Sequence, residues 1–275
     1  MNQPEINTSV FNRLRFVLVE TSRAGNIGAV ARAMKTMGFD DLVLVRPRFA
    51  DALADPEALA FASGAQDVLA GARIVGDIKE ALEGCNFAAA VSARLREFSP
   101  PVWSPRAFAA HIAGIGAGAS VARGGLVTAL IFGNERFGLP NQIVERCNVL
   151  INIPANPAYS SLNLAQAAQV LAYECRVAAE RDASEPDTPT IGTVTPGVAT
   201  PGTVGFHGDA ANLAQIDGMF AHLEQALVAI DFLDPAQPKK LMPRLKRLFA
   251  RTQLETEEVN ILRGIANQIL KLAKR

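Results

Sequence analysis

The sequence predicts an α/β protein with a parallel sheet flanked by helices, followed by a small all-helical C-terminal domain. Strand-like and helix-like runs alternate through the first two thirds of the chain, which is the pattern of a parallel sheet. A segment rich in Thr, Pro and Gly then interrupts the alternation, and only helical periodicity follows it. We therefore expect a first domain over 1–183, a flexible linker over 184–208 and a helical domain over 209–275.

Short β-rich apolar runs mark the strands of the first domain, at 15–20, 41–45, 72–75, 86–92, 126–132 and 149–153. Helical spacing of apolar residues marks helices at 26–37, 56–69, 77–82 and 161–181, and a further helix begins near Pro140. Gly38 is the stop signal of the first of these helices. Strands that alternate with helices favour parallel pairing.

The C-terminal part has a different composition. Fifteen of the 23 residues from 186 to 208 are Pro, Gly or Thr and show no periodicity, as is typical of a mobile linker. Amphipathic helices are predicted beyond it at 209–232, 238–251 and 255–274. The segment 234–275 holds ten Lys and Arg against four Asp and Glu, a formal +6 in a chain of zero net charge. A basic module on a mildly acidic body suits an RNA partner.

Composition argues against several classes of protein. No apolar run approaches the roughly 18 residues of a membrane helix and the N-terminus lacks a signal sequence, so we expect a cytoplasmic protein without membrane association. Cys85, Cys147 and Cys175 lie far apart without a C-x-x-C pair, which indicates core residues rather than zinc ligands or disulfides. P-loop, G-x-S-x-G and H-E-x-x-H sequences do not occur, which leaves nucleotide hydrolysis, acyl transfer and zinc chemistry without support.

The first candidate motif is a polar, glycine-containing turn at the end of the first strand, Glu-Thr-Ser-Arg-Ala-Gly-Asn-Ile-Gly at 20–28. Ligand sites in open α/β sheets lie at such carboxyl ends. On the helix that follows, the apolar residues share one face and Arg32 projects from the other, with clear space around its guanidinium. The alternative is that Arg32 is a solvated surface charge and that Gly25 and Gly28 only close a turn.

The second candidate motif, Ile-Phe-Gly-Asn-Glu-Arg-Phe-Gly-Leu-Pro at 131–140, joins a buried strand to a helix. Its two glycines allow the backbone to approach a ligand closely. In the alternative interpretation it is an ordinary strand-to-helix turn with Glu135 and Arg136 solvated. Taken by itself, the motif favours that alternative.

The third candidate motif is Ile-Pro-Ala-Asn-Pro-Ala-Tyr-Ser-Ser-Leu-Asn-Leu-Ala at 153–165. Two prolines keep the chain extended, and the serines at 160 and 161 are expected to cap the long helix that follows. Free amide groups at such a helix start hold the polar edge of a ligand. Capping alone accounts for one serine but not for the long apolar loop ahead of it.

Together the three motifs resemble those of the SPOUT class of RNA 2'-O-methyltransferases, the TrmH/SpoU-like enzymes. The segments 18–38 and 153–165 are most similar to the tRNA (cytidine/uridine-2'-O-)-methyltransferases of the TrmJ type, and 245–251 and 260–264 extend the resemblance into the helical tail. The resemblance implies a C-terminal trefoil knot, which general topology rules would have argued against. It also implies S-adenosyl-L-methionine as cofactor, tRNA as partner, no metal, and a homodimer with the active site at the interface. The alanine-rich segment 162–179 has the small side chains that close packing between helices requires.

The resemblance assigns site residues by motif. The expected cofactor contacts, most of them through the backbone, are Val91, Ser92, Ala93, Gly133, Ile153, Ser160, Ser161 and Leu162. The expected catalytic residues are Asn26, Arg32 and Ser161, whereas Asn134, where we expect variation between relatives, is assigned no role. In this class the arginine is considered the general base, but a guanidinium with a pKa above about 12 is a poor proton acceptor. We therefore expect Arg32 to clamp a phosphate and stabilise the forming alkoxide, while Ser161 or a water accepts the proton.

The expected reaction is 2'-O-methylation of a pyrimidine ribose at position 32 of the tRNA anticodon loop. Arg32 and six basic residues of the tail are the candidate RNA contacts, the latter with a solvated basic face as the alternative: Lys239, Lys240, Arg244, Lys246, Arg247 and Arg251. Methylation of another tRNA or rRNA site stays open, as does a non-catalytic RNA-binding factor that retains the fold. A nicotinamide-dependent dehydrogenase is disfavoured because the dinucleotide fingerprint is missing.

Overall fold

The computed structural model describes residues 10–49, 51–96, 99–114, 127–180, 209–252 and 254–273. The predicted linker at 184–208 lies outside the described residues, as does residue 126 at the start of the fifth predicted strand. Within the described ranges, no helix is both long enough and apolar enough to cross a membrane.

The described residues form one sheet of seven parallel strands, in the order β3-β2-β1-β6-β4-β7-β5. The strands are β1 Leu14–Val19, β2 Leu42–Val45, β3 Arg73–Val75, β4 Phe87–Val91, β5 Val102–Trp103, β6 Thr128–Phe132 and β7 Val149–Ile151. The register places Phe16 beside Leu42 on one side and beside Leu130 on the other. The predicted α/β fold with a parallel sheet is therefore confirmed, and the trefoil knot stays a prediction.

Both faces of the sheet are covered, which is why its strands are continuous apolar runs in the sequence. In β1, Phe16 and Leu18 belong to one apolar cluster, and Val17 and Val19 belong to the other. The first cluster includes residues of α1 Ala24–Met37, α2 Pro56–Ala62, α3 Gln66–Gly71, α5 Pro105–Ile112 and α7 Leu164–Glu180, and the second includes residues of α4 Ile78–Ala81 and α6 Asn141–Val144. All three cysteines are free and buried in these clusters, as predicted for core residues.

Several local elements differ from the sequence prediction, among them one predicted helix and one strand. The predicted helix at 56–69 is broken, since α2 ends at Ala62, Ser63 adopts a φ of 52°, and α3 starts at Gln66 after a short 3-10 turn. Serine followed by glycine favours such a break, because both are poorer helix formers than alanine. Strand β5 was not predicted, because two residues are too few to show a period in the sequence.

Helix α1 begins at Ala24, two residues before the predicted start, so Gly25 and Gly28 lie inside the helix. Gly28 stands where α1 crosses α2: a Cβ atom built on it would lie 1.9 Å from the backbone oxygen of Ala58. The crossing therefore requires glycine for close approach of the two backbones. The interpretation of these glycines as turn residues is wrong.

Helix α7 begins three residues later than predicted, so Ser160 and Ser161 precede it and do not cap it. The capping residue is Asn163, whose Oδ1 accepts hydrogen bonds from the backbone N–H groups of Ala165 at 2.9 Å and Gln166 at 3.4 Å. The predicted serine cap is therefore wrong, and both serines are left in the loop that leads to the helix.

The alanines of α7 are used within the subunit. Ala168 and Ala172 are fully buried in the core, where α7 packs against α1 and α5. Those two side chains are not available to another subunit, and the expected homodimer stays a prediction. Tyr173, by contrast, is 54% exposed on α7.

Three helices form the C-terminal region, α8 Leu213–Ala229, α9 Leu241–Phe249 and α10 Thr256–Ala273, with no strand in its described part. They enclose a small core of Ala211, Met219, Phe220, Leu254 and Val259. The predicted all-helical C-terminal region is confirmed.

The first turn of α8 packs directly on the sheet domain. Leu213 is 7% exposed and belongs to an apolar cluster of the sheet, and its backbone N–H donates a hydrogen bond to the oxygen of Cys85 at 3.1 Å. Arg146 Nη1 and Asp217 Oδ2 form an ion pair of 2.9 Å beside this contact. The helical region is therefore attached by apolar packing, a hydrogen bond and an ion pair.

Gly28→Ala is expected to lower the free energy of unfolding by about 1–3 kcal/mol, because the added methyl group overpacks the crossing of α1 and α2. Urea denaturation measures the change. Gly64→Ala is the matched control, since a Cβ atom at Gly64 meets no atom within 4 Å. Equal unfolding midpoints for the two variants would contradict the crossing as the reason for glycine at position 28.

Candidate active site

A cleft of about 560 Å³ opens at the carboxyl edge of the sheet, where the segments after β4, β6 and β7 meet. Parallel strands end at the same edge, so loops that are distant in sequence come together there. The lining residues are Val91, Ser92, Ala93, Arg94, Phe132, Gly133, Asn134, Glu135, Arg136, Phe137, Gly138, Ile153, Ser160, Ser161, Leu162, Leu164 and Ala167. All eight residues expected to contact the cofactor are among them.

The loop after β6 is a tight turn held by Asn134. Its Oδ1 accepts hydrogen bonds from the backbone N–H groups of Arg136 at 2.9 Å and Phe137 at 3.2 Å. Its Nδ2 donates to the backbone oxygen of Glu20 at 2.6 Å, and its backbone pairs with that of Gly138. Asn134, to which the sequence assigned no role, therefore shapes this side of the cleft.

Gly133 is required by the same turn. A Cβ atom on it would lie 2.3 Å from the carbonyl carbon of Gly138 and 2.4 Å from the backbone nitrogen of Leu139. The sequence suggested that this glycine allows a ligand to approach. The structure shows that glycine is required here even without a ligand, because the backbone of the turn leaves no space for a side chain.

Glu135 joins the three motifs. Its Oε2 accepts hydrogen bonds from the backbone N–H and the hydroxyl of Ser22 at 2.9 and 2.8 Å, and its Oε1 accepts one from Nδ2 of Asn26 at 2.8 Å. The side-chain oxygen of Asn26 accepts in turn from Nδ2 of Asn163 at 3.0 Å. Burial raises the pKa of Glu135, but the hydrogen bonds from Asn26 and Ser22 outweigh it and hold that pKa below its usual value. We call these four residues the carboxylate network.

Two further side chains brace the loops. Arg96 donates from Nε to Oδ1 of Asn141 and from Nη2 to the backbone oxygen of Leu139, both at 2.7 Å. Nδ2 of Asn152 donates to the backbone oxygens of Ser92 at 3.1 Å and residue 93 at 3.3 Å. The loop after β4 is thereby tied to the segments after β6 and β7.

Sequence reasoning missed Glu135, Arg96, Asn152 and Asn163 as parts of the site. The interpretation of the second motif as a turn with a solvated Glu135 is wrong, because both carboxylate oxygens are hydrogen-bonded within the protein. The available signal was the position of these polar residues shortly after strands or before a helix. Their partners, however, lie from 43 to 137 residues away along the chain.

The expected catalytic residues do not all line the cleft. Ser161 lines it and is exposed, and Asn26 belongs to the carboxylate network. Arg32 is exposed on α1, about 9 Å beyond Asn26 along the helix axis, and does not line the cleft. A single subunit therefore does not bring Arg32 into its own cleft wall.

Comparison with known sequences identifies the family. The sequence model described as the SpoU rRNA Methylase family matches residues 13–173, more than half of the chain and all of the lining residues. The chain belongs to the SpoU methylase family. A second model, described as tRNA methyltransferase TrmJ, C-terminal domain, matches residues 214–275. The resemblance drawn from the motifs is thereby confirmed.

Relatives of this SpoU-family chain resemble it over almost its whole length. The tRNA (cytidine/uridine-2'-O-)-methyltransferase TrmJ of Pectobacterium atrosepticum is 39% identical over 264 residues, which are 95% of this chain and 98% of that protein. The tRNA (cytidine/uridine/adenosine-2'-O-)-methyltransferase TrmJ of Pseudomonas aeruginosa is 40% identical over 269 residues, 96% of each chain. The crystal structure of TrmJ from Z. mobilis has a TM-score of 0.70 and 30% identity, and the match covers 93% of this chain and 98% of that chain.

The basic residues of the helical region differ in their surroundings. Five of the six candidate phosphate contacts in this part of the SpoU-family chain are exposed, namely Lys239, Lys240, Arg244, Arg247 and Arg251. Arg244 and Arg247 lie one turn apart on α9, and Arg251 follows that helix, which ends at Phe249. Lys246 is half-buried, and its Nζ lies 6.0 Å from the centroid of the Phe220 ring. Lys246 therefore packs within the protein.

Candidate metal ligands are not grouped in the described part of the chain, where no three His, Cys, Asp or Glu side chains come together. His111 packs between the rings of Phe87 and Trp103, with centroids 5.0 Å away in each case. Burial lowers the pKa of His111 to about 4, so its ring is neutral near pH 7 and packs as an aromatic group. His207 lies outside the described residues.

Glu135→Gln is expected to lower the free energy of unfolding at pH 7 by about 1–3 kcal/mol, because the amide leaves at least one present donor without an acceptor. Urea denaturation measures the change, with Glu224→Gln, an exposed position on α8, as the matched control. The folded-state pKa of Glu135 lies below its usual value near 4.5, so its stabilisation is full above that pH and is lost as the pH falls through the lowered pKa. A difference between wild type and Glu135→Gln that does not shrink in acid would contradict the carboxylate as its source.

Proposed function

We propose that this chain methylates the ribose 2'-hydroxyl of a pyrimidine at position 32 of the tRNA anticodon loop, with S-adenosyl-L-methionine as the methyl donor. The observation that carries the proposal is the cleft, in which eight residues named from three separate loops line one cavity. Membership of the SpoU methylase family supports methyl transfer, and the names of the two TrmJ relatives support tRNA and the 2'-oxygen. A tRNA substrate supports a cytoplasmic location, which is part of the proposal.

The cleft suits S-adenosyl-L-methionine. Its volume lies within the range of small-molecule sites. Val91, Ile153 and Leu162 offer half-buried apolar side chains, and Ser160 and Ser161 offer hydroxyl groups. The cofactor supplies an electrophilic methyl group when it is bound, so the scheme requires no metal ion as an electrophile.

The three catalytic residues have distinct proposed roles. Ser161, exposed in the cleft, or a water beside it accepts the proton of the 2'-hydroxyl and passes a proton on to solvent. Arg32 holds the phosphate next to the target and stabilises the alkoxide charge, since a guanidinium is a cation with paired hydrogen-bond donors. Asn26 is a positioning residue, because its amide is committed to Glu135 and Asn163.

We propose that the enzyme is a homodimer in which Arg32 acts at the cleft of the other subunit. Arg32 is exposed and lies outside the lining of its own cleft. Helix α7, which packs against α1, carries the exposed Tyr173. These neighbouring helices supply the exposed side chains that we assign to the interface.

The domain limits from the sequence are retained as part of the proposal. We assign 1–183 to the methyltransferase domain, 184–208 to a linker and 209–275 to tRNA docking. The two family models, which match 13–173 and 214–275, support this division. The exposed basic face of Arg244, Arg247 and Arg251 supports docking through phosphates.

The reaction is tested by incubating the protein and S-adenosyl-L-methionine with tRNAs that carry C, U or A at position 32, followed by mapping of 2'-O-methyl nucleotides. We expect methylation of nucleotide 32. Methylation of a different tRNA or rRNA ribose would contradict position 32 as the target. RNA binding without methylation would support the alternative that the chain is a non-catalytic RNA-binding factor. The names of the two relatives differ in whether adenosine is included, so the tRNA with A at position 32 decides the base range.

Arg32→Lys is expected to lower the single-turnover rate at saturating tRNA by about tenfold or more, because lysine offers a point charge without the bidentate fork. Rapid-quench methylation measures the rate, and Arg73→Lys on strand β3 is the control. A rate close to wild type would contradict the clamp.

Mixed dimers extend the test of Arg32 to the subunit arrangement. A dimer of one Arg32→Ala subunit and one Gly133→Ala subunit holds one intact cleft and one intact arginine on opposite subunits. Recovered activity is expected, because the intact cleft receives the partner's arginine. An inactive mixed dimer would mean that Arg32 acts within its own subunit.

The double variant Arg247→Ala with Arg251→Ala is expected to weaken tRNA binding and to reduce the slope of log K against log salt by about 2, since each arginine is assigned one phosphate. Binding titrations over a series of salt concentrations measure the slope. Lys246→Ala is the matched control, because that ammonium lies over the Phe220 ring. An unchanged slope in the double variant would remove this face from the RNA site.

A further inference from the structure

The rim of the cleft carries an aromatic side chain that the proposed reaction does not use. Phe137 is 78% exposed, and the guanidinium carbon of Arg136 lies 5.3 Å from the centroid of its ring. Both residues line the cleft beside those assigned to the cofactor. We call Arg136 and Phe137 the rim pair. A single exposed apolar residue is ordinary on a protein surface. The argument for a ligand therefore depends on the backbone that holds Phe137 and on the arginines that line the cleft with it.

The rim pair stands on a fixed backbone. The backbone N–H groups of Arg136 and Phe137 both donate to Oδ1 of Asn134, and Gly138 N–H donates to the backbone oxygen of Asn134 at 2.8 Å. The turn is anchored further by Leu139, which is 3% exposed. A side chain on a backbone that is fixed before the ligand arrives loses less conformational entropy on binding than one on a mobile loop.

Two arginines line the cleft together with the ring. Arg94 also lines the cleft and is exposed, and neither Arg94 nor Arg136 forms a salt bridge within the described residues. The nearest carboxylate in sequence, Glu135, is turned inward to Ser22 and Asn26. The rim therefore offers one flat apolar face and two guanidinium groups to a ligand.

An unpaired RNA nucleotide has the matching chemistry. Its base presents an aromatic face that stacks on phenylalanine, and its phosphate binds guanidinium groups, whereas the bases of a duplex are stacked on each other. We propose that the rim pair stacks on an unpaired nucleobase next to the methylated ribose, an inference that rests on the proposed function. A phenylalanine ring has no hydrogen-bonding group and so cannot recognise a base edge. The rim pair therefore selects RNA loops whose bases are unstacked, and it tolerates any base at that position.

The test compares Phe137→Ala, Phe137→Tyr and Arg136→Gln with Phe61→Ala, a matched control because Phe61 is an exposed phenylalanine on α2. The probes are an anticodon stem-loop RNA, a fully paired duplex RNA and S-adenosyl-L-methionine alone. Phe137→Ala is expected to raise the Kd for the stem-loop about tenfold, in the range of one lost base–aromatic stack. Phe137→Tyr should keep wild-type binding, Arg136→Gln should weaken it, and Phe137→Ala should leave the duplex and cofactor affinities unchanged.

Several results would overturn the proposal. A stem-loop Kd equal to that of Phe61→Ala would remove the ring from the RNA site. A weaker affinity for S-adenosyl-L-methionine alone would assign the ring to the cofactor, and a change of oligomeric state in sedimentation would assign it to a protein interface. If Phe137→Ala weakened binding only of stem-loops with one particular base next to the methylated ribose, the ring would be recognising that base, which contradicts stacking that tolerates any base. Because these measurements are of binding, they remain informative if wild-type protein methylates no RNA, which would defeat the proposed function alone.

Discussion

The half-buried carboxylate of Glu135 is the interaction on which the site depends. It accepts three hydrogen bonds, two from Ser22 and one from Asn26, and Asn26 accepts one from Asn163. Burial of a carboxylate is unfavourable unless donors replace its water, and here the donors do so fully enough to lower its pKa. One charged group thereby fixes the relative positions of three loops that the apolar core alone would leave free to shift.

The same principle holds around the rest of the cleft. Asn134, Arg96 and Asn152 each use a side chain from one loop to satisfy the backbone of another. The sheet supplies a common edge, because its strands are parallel and end together, but its packing does not define the shape of that edge. Polar cross-links between loops define it. Asn163 caps helix α7, so the serines at 160 and 161 are not used as helix caps.

The sheet and the helical C-terminal region differ in where their charged and apolar surfaces lie. The helical region has its own small core and contacts the sheet domain through Leu213 and the pair of Arg146 with Asp217. Its exposed arginines face solvent, whereas Lys246 is used inside it. The charged groups at the cleft show the same contrast. Glu135 is hydrogen-bonded inside the protein, whereas Arg136 is exposed to solvent.

The sequence by itself determined the α/β class and the helical tail, and its resemblance to the SPOUT class named the eight cleft residues from Val91 to Leu162. Strands buried on both faces are apolar runs, and motif loops at the ends of parallel strands must meet at one edge. Only the tertiary structure decided the partners of Glu135, the break at Ser63, the cap at Asn163 and the absence of Arg32 from the cleft wall. A polar side chain takes its partner from whichever loop is adjacent in the sheet order, and with β6 between β1 and β4 that order differs from the order along the chain. The local sequence does not predict such neighbours, because the hydrogen-bond partners of each polar side chain lie tens of residues away along the chain.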